Sequence, residues 1–184
     1  MNTKLVMALG GALIASCTPS GGAYAGQAEE GTQKFVSACY VHFSPKGGAS
    51  AAIVDRINQA EKEVLVQAYN YASIDIADAV IAAKNRGVKV TLLIDGKQTT
   101  ANGNQLQYSK DHGVDVYLDK KHAISHNKVM VIDGKWVHTG SFNFSSNAEN
   151  RNAENSVWCT SELNGMAKIY TENFNKHLAH AVKF

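Results

Sequence analysis

Apolar positions recur along this chain with two different periods, and the switches between them mark out the elements. Residues 39–43 alternate, with Val41 and Phe43 on one face, and read as a short strand. A turn at 44–48 follows, and residues 49–62 carry helical spacing through Ile53, Ile57 and Ala60. The pattern predicts a strand at 64–69 and a helix at 74–85, which Arg86 and Gly87 end as a basic last turn followed by a glycine. Residues 88–94 form a nearly continuous apolar run, the signature of a strand covered on both faces. Then come a polar loop at 95–104, a helix at 105–112 and a strand at 114–118. Residues 128–132 and 136–139 predict a hairpin turning at Asp133 and Gly134. A last strand is expected at 156–159 and a long terminal helix at 162–182. Strand and helix alternate through the first half. The expected fold is therefore α/β, a mixed, mostly parallel sheet flanked by helices.

Composition bounds this picture without changing it. The chain has 184 residues, 45% of them hydrophobic and 18% charged, which fits one globular domain. The formal net charge is +2, and loss of Lys4 with the leader described next would leave +1. A broad basic nucleic-acid-binding surface is excluded, so any grip on a polyanion must come from a local cluster.

Residues 1–25 read as an export leader. Lys4 precedes an apolar run over 5–16 that is too short to cross a bilayer, and Ala23-Tyr24-Ala25 offers a small-x-small cleavage site. A second reading takes Ile14-Ala15-Ser16-Cys17 as a lipoprotein box. Cys17 would then be lipidated and residues 18–34 would form a tether to the membrane. Either way the protein is expected outside the cytoplasm, periplasmic or secreted, or anchored through Cys17. Residues 26–37 read as linker and 38–184 as the catalytic domain. Cys39 and Cys159 remain in the mature chain, either paired in an oxidising compartment or buried as small apolar side chains.

The chemistry concentrates in one stretch. His126-Asn127-Lys128 opens the first strand of the hairpin, Asp133 sits at its turn, and Gly140-Ser141-Phe142-Asn143 follows the second strand. His126 and Lys128 are two apart in an extended segment, as are Ser141 and Asn143, so each pair projects to one face. The hairpin can bring both pairs to one end of a sheet. An imidazole, an ammonium, a hydroxyl and an amide around one point suit a phosphate: the imidazole can attack phosphorus while the others hold its oxygens. Taken singly, each residue also fits a solvated surface or an ordinary turn. Together they specify six residue types at fixed spacing.

At these residues the chain resembles the phospholipase D superfamily, whose signature is H-x-K-x4-D followed by G-S-x-N. The likeness extends through Ala68-Tyr69, residues 82–88 and Asn152-Ala153-Glu154-Asn155, and is nearest to the small bacterial endonucleases of that superfamily. The resemblance implies a phospholipase D/nuclease-like fold and a phosphohistidine intermediate with no cofactor. It assigns the nucleophile to His126, phosphate binding to Lys128, Ser141 and Asn143, and orientation of the histidine to Glu154. Asp133 matches the motif aspartate, with a mainly structural or electrostatic supporting role. Of seven histidines only His126 begins the motif. Single-motif members pair two identical histidines across a two-fold axis, so the resemblance implies a homodimer with a shared site, as closed isologous pairing favours.

A catalytic metal is not expected. His122 and His126 are four apart but in an extended segment, and His177 and His180, three apart near a helix end, have no third ligand close in sequence. The expected activity is metal-independent hydrolysis of DNA, extending to RNA. Lys97, Lys120 and Lys121 with the polar 95–104 loop would supply a phosphate-gripping rim. Phospholipid is the alternative substrate, although no exposed apolar loop beside the motif is legible and Phe142 and Phe144 read as packing beneath the site. A non-catalytic phosphodiester-binding protein is the third reading, disfavoured because a binder has no need of His126.

Overall fold

The computed structural model describes residues 39–161 and 165–184. The leader and linker readings over residues 1–37 lie outside the described residues, as does the expected helix start at 162.

In chain order the elements are β1 (Cys39–Ser44), α1 (Ala49–Asn58), β2 (Glu63–Ala68), α2 (Ile74–Asn85), β3 (Lys89–Asp95), α3 (Leu106–Asp111), β4 (Asp115–Asp119), β5 (Lys128–Ile132), β6 (Trp136–Gly140), α4 (Ser146–Asn150), β7 (Glu154–Thr160), α5 (Met166–Leu178) and β8 (Val182–Lys183). The eight strands form one sheet in the order β1-β7-β6-β5-β2-β3-β4-β8. The mixed α/β expectation holds, but the parallel part is confined to β2, β3 and β4; every other neighbouring pair is antiparallel. The reason is the connections. Helical crossovers link β2, β3 and β4 in parallel, whereas a loop joins β4 to β5 and a tight hairpin joins β5 to β6, so the chain reverses direction there.

Period-two alternation in the central strands feeds two cores. Val64 and Val66 of β2, Val90 and Leu92 of β3 and Met130 and Ile132 of β5 pack beneath α1 and α2 with Ile53, Ile57, Ile76 and Val80. Leu65, Leu93, Val129, Val131 and Val137 face the other way, onto Ala167 and Phe174 of α5. Burying both faces explains why β3 reads as one apolar run. Phe174 is 1% exposed, and truncating such a side chain to Ala typically costs about 3–5 kcal/mol.

Two expected boundaries move. The helix expected at 49–62 ends at Asn58, because the N–H groups of Glu61, Lys62 and Glu63 are taken by the Asp133 carboxylate at 3.0, 2.8 and 2.9 Å. The terminal helix spans Met166–Leu178 and gives way to β8, which pairs antiparallel with β4. The strand expected to be last is thus followed by another, two residues long and too short to show a period. It covers what would otherwise be the open edge of β4. At the opposite edge β1 pairs along its whole length with β7, and Cys39 and Cys159, directly opposed, are joined by a disulfide.

Candidate functional site

Strand directions decide which end of the sheet each candidate residue occupies. β5 runs antiparallel to β2 with Lys128 opposite Ala68, β6 returns with Met130 opposite His138, and β7 descends with Ser156 opposite Gly140. His126, Lys128, Ser141, Asn143 and Glu154 therefore gather at the carboxyl end of the parallel strands, the usual place for a site in an open α/β sheet. The segment after β2 ties the two halves of the motif together. The Tyr69 N–H donates to Asn127 O at 2.8 Å, and the N–H groups of Ala72 and Ser73 donate to Phe144 O at 2.8 and 2.9 Å. Tyr71 forms an isolated bridge with Phe144.

His126 is exposed, and its ring packs against Tyr69 with centroids 4.7 Å apart. The residue before it is held by a buried carboxylate: Asp95 Oδ2 accepts from the Ser125 N–H, while Oδ1 accepts from the Lys97 N–H at 2.9 Å. Asp95, expected to open the polar loop at 95–104, instead closes β3, and nothing in its sequence context marks it as the anchor of the histidine loop. Lys128, by contrast, is buried. Its Nζ donates to His126 O at 3.0 Å and lies 5.2 Å from the Tyr69 ring centroid. Burial pulls its pKa below the ordinary lysine value, opposed by the charge of Glu154.

Gly140 adopts φ 145°, and a Cβ there would run into Asn155 O and Oδ1. Only glycine lets β6 pass this close to the start of β7 and deliver Ser141 to the site. Ser141 Oγ donates to Glu154 Oε2 at 2.6 Å and accepts from the Asn155 N–H at 3.1 Å. Asn152 Nδ2 holds the other carboxylate oxygen at 3.0 Å. Glu154, expected to orient His126, makes no hydrogen bond to it among the described residues and instead fixes Ser141. Asn143 Oδ1 is buried without a partner, so the amide is free to turn its N–H groups toward a bound oxyanion. Phe142 and Phe144 are fully buried beneath the loop, as expected.

Beneath them lies a residue the sequence reading passed over. His138 is fully buried, packs against Phe144 and Trp158, and shares a 2.8 Å hydrogen bond with Ser156 Oγ. Burial drives its pKa down to about 3.

Asp133 does not join the group. It stands at the far end of β5, roughly 16 Å from Lys128 at the usual strand rise, with its oxygens engaged by the three N–H groups between α1 and β2. Of the two readings of the motif aspartate, this geometry fits the structural one. His177 and His180, which lack a third ligand in sequence, do find neighbours in space: Asp119 and His122 lie beside them. The fold brings the end of β4 to the end of α5, a juxtaposition no local spacing reveals.

The site thus offers an exposed imidazole with no hydrogen bond among the described residues, a desolvated ammonium, a hydroxyl and an amide at one end of the sheet. That set can attack and hold a tetrahedral phosphorus. Comparison with known proteins agrees. The family model described as cardiolipin synthase, PLD-like domain, matches residues 53–178. The chain is 41% identical over 142 residues to a phospholipase D of Rickettsia felis, covering 76% of this chain and 67% of that one. It is 30% identical over 102 residues to a mitochondrial cardiolipin hydrolase of Chlamydomonas reinhardtii, covering 55% of this chain and 46% of that protein. Among solved structures, the phospholipase D family member Nuc from Salmonella typhimurium superposes with a TM-score of 0.77 at 30% identity, over 81% of this chain and 99% of that one. NucT from Helicobacter pylori shares the fold at a TM-score of 0.71 and 24% identity, over 81% and 100% of the two chains.

Proposed function

The chain belongs to the phospholipase D-like family and is a phosphodiester hydrolase, and from that premise we propose that it is an exported, metal-independent endonuclease with His126 as its covalent nucleophile. In this reading an imidazole nitrogen of His126 attacks phosphorus, and the bond to the leaving oxygen breaks. That oxygen takes a proton from a second imidazole. Water then attacks the phosphohistidine and gives its proton to that second imidazole, and the P–N bond breaks to release a phosphomonoester. Lys128, Ser141 and Asn143 hold the non-bridging oxygens, and Glu154 acts by fixing Ser141.

The second imidazole is the same histidine of another copy of this chain. Support for pairing comes from the β1–β7 edge. Val41 and Phe43 are 50% and 67% exposed there, on the sheet face opposite α1, and Val157 and Asn155 stand beside them in register. This is an uncovered apolar strip at the edge next to Ser141 and Glu154, of the kind an isologous partner buries. Export is supported by the Cys39–Cys159 disulfide, a bond that oxidising compartments favour and the reducing cytosol disfavours.

One observation carries the choice of nucleic acid. Lys97, Lys120 and Lys121 are all exposed on the β3–α3 and β4–β5 loops, at the same end of the sheet as His126. Such a cationic, wet rim grips successive backbone phosphates without reading bases. A phospholipid reading draws on the relatives named phospholipase D and cardiolipin hydrolase, and on Ile124, which is 52% exposed two residues before His126. One aliphatic side chain is a small entry surface for acyl chains. Supercoiled plasmid, phosphatidylcholine vesicles and cardiolipin vesicles, each incubated with the wild type and with His126→Ala, separate the readings. Plasmid nicking that disappears in the variant is expected. Released headgroup or cleaved cardiolipin with intact plasmid would transfer the assignment to phospholipase, and turnover by the variant would remove His126 as nucleophile.

A further inference from the structure

Three histidines and a buried aspartate form a second polar cluster, three strands away from β5 at the same end of the sheet. Asp119 is the last residue of β4 and is 1% exposed. His122 follows in the β4–β5 loop, His177 sits in the last turn of α5, and His180 lies between α5 and β8. The Nδ1 atoms of His122 and His177 each stand 2.9 Å from Asp119 Oδ2, and His180 Nε2 is 3.4 Å from Oδ1. The imidazoles also crowd one another, with ring centroids 4.7, 5.2 and 5.5 Å apart.

Hydrogen bonding alone does not account for this arrangement. Asp119 already accepts from the Lys121 N–H at 3.1 Å as well as from His122 and His177. His180 Nε2 is buried and, although 3.4 Å from Asp119 Oδ1, makes no hydrogen bond among the described residues. An unpaired buried polar atom is costly and calls for a partner. One donor atom from each residue lies within 4.8 Å of all the others. Tetrahedral Zn²⁺ at about 2.0–2.1 Å from each ligand spaces its ligands about 3.4 Å apart. The contraction required is modest, and His122, on an exposed loop, can supply most of it.

We propose that Asp119, His122, His177 and His180 form a closed, structural binding site for a first-row divalent cation, zinc above all. Three imidazole nitrogens select against calcium and magnesium, which take oxygen ligands. Four protein ligands leave no open position, so the ion stabilises and does not catalyse. It fastens the β4–β5 loop, which delivers His126 four residues beyond His122, to the corner between α5 and β8. The site is separate from the phosphodiester chemistry, and its test does not depend on turnover.

The purified full chain is stripped with chelator, reloaded with Zn²⁺, dialysed and assayed for zinc by plasma mass spectrometry and for thermal midpoint. Wild type and a surface control, His112→Ala, are expected to retain one zinc per chain, with a midpoint raised roughly 5–10 °C when zinc stands a hundredfold above its dissociation constant. The double variant His177→Ala/His180→Ala is expected to lose both. Wild type without stoichiometric zinc, or a double variant that retains it, would overturn the site. Because that variant could fail by misfolding, Co²⁺ is titrated into the stripped wild type. Intense visible bands of tetrahedral cobalt support the site, and the faint spectrum of six-coordinate cobalt rejects it.

Discussion

Replacing Asp133 with Asn asks whether the last letter of the H-x-K-x4-D motif does chemistry or holds the fold. Asp133 has a φ of 56°, a left-handed conformation that Asn also accepts, so the change removes charge with little backbone strain. In the native chain Oδ1 accepts from the N–H groups of Lys62 and Glu63 at 2.8 and 2.9 Å, and Oδ2 accepts from Glu61 at 3.0 Å. The amide keeps an acceptor for the first two and turns an N–H toward the third. A hydrogen bond to a charged group is worth about 1.5–3 kcal/mol, and partial exposure of the residue favours the lower part of that range. The expected loss is about 2 kcal/mol in urea unfolding, read from a lowered midpoint at unchanged slope. Well below the transition, kcat should stay within about twofold of wild type, since a group so distant from the reacting phosphorus makes no contact there. Burial pushes the Asp133 carboxyl up, but its three backbone hydrogen bonds outweigh burial and hold it below the ordinary value. Its stabilisation is therefore present at neutral pH and lost as pH falls through that lowered value, a slope the variant should lack. A drop in kcat of tenfold or more with an unmoved unfolding midpoint would refute the reasoning and return Asp133 to the reaction.

Three further outcomes follow from other parts of the fold. With a pKa near 3, His138 stays neutral when folded and protonates near 6.5 when unfolded. Acidification from pH 7 to pH 4 should thus cost wild type about 3 kcal/mol more than it costs His138→Gln, and equal losses in urea titrations would contradict the assignment. Reducing the Cys39–Cys159 bond, which spans 120 residues, should lower unfolding free energy by up to about 5 kcal/mol on chain-entropy grounds; identical midpoints before and after thiol titration would speak against a stabilising bridge. Gly140→Ala should push Ser141 off its position and reduce kcat by about 100-fold, and turnover within twofold of wild type would show that the close approach to Asn155 is dispensable.

What the sequence made legible was local. The α2 bounds, the hairpin at Asp133 and Gly134, and the shared location of His126, Lys128, Ser141 and Asn143 all follow from short spacings and turn chemistry. What stayed hidden depends on which strand lies next to which. Pairing of β1 with β7 joins residues 120 apart, so neither the disulfide nor the exposed Val41 and Phe43 strip could be read from periodicity. Asp133 matches the motif aspartate, with an expected structural or electrostatic supporting role; five residues along a strand from Lys128 put it at the far end of the sheet. Glu154 reached the site as expected but took Ser141 as its partner in place of His126. His177, in the last turn of α5, and His180, just past its end, gained a third and a fourth neighbour only through the packing of that corner beside β4.

The most direct test of the account is to find the covalent intermediate. Wild-type protein turning over DNA is quenched in alkali, where a phosphoramidate survives, then digested and mapped by mass spectrometry. The account predicts a nucleotidyl adduct on His126 that is absent in His126→Ala. An adduct on any other residue, or none during steady cleavage, would contradict it.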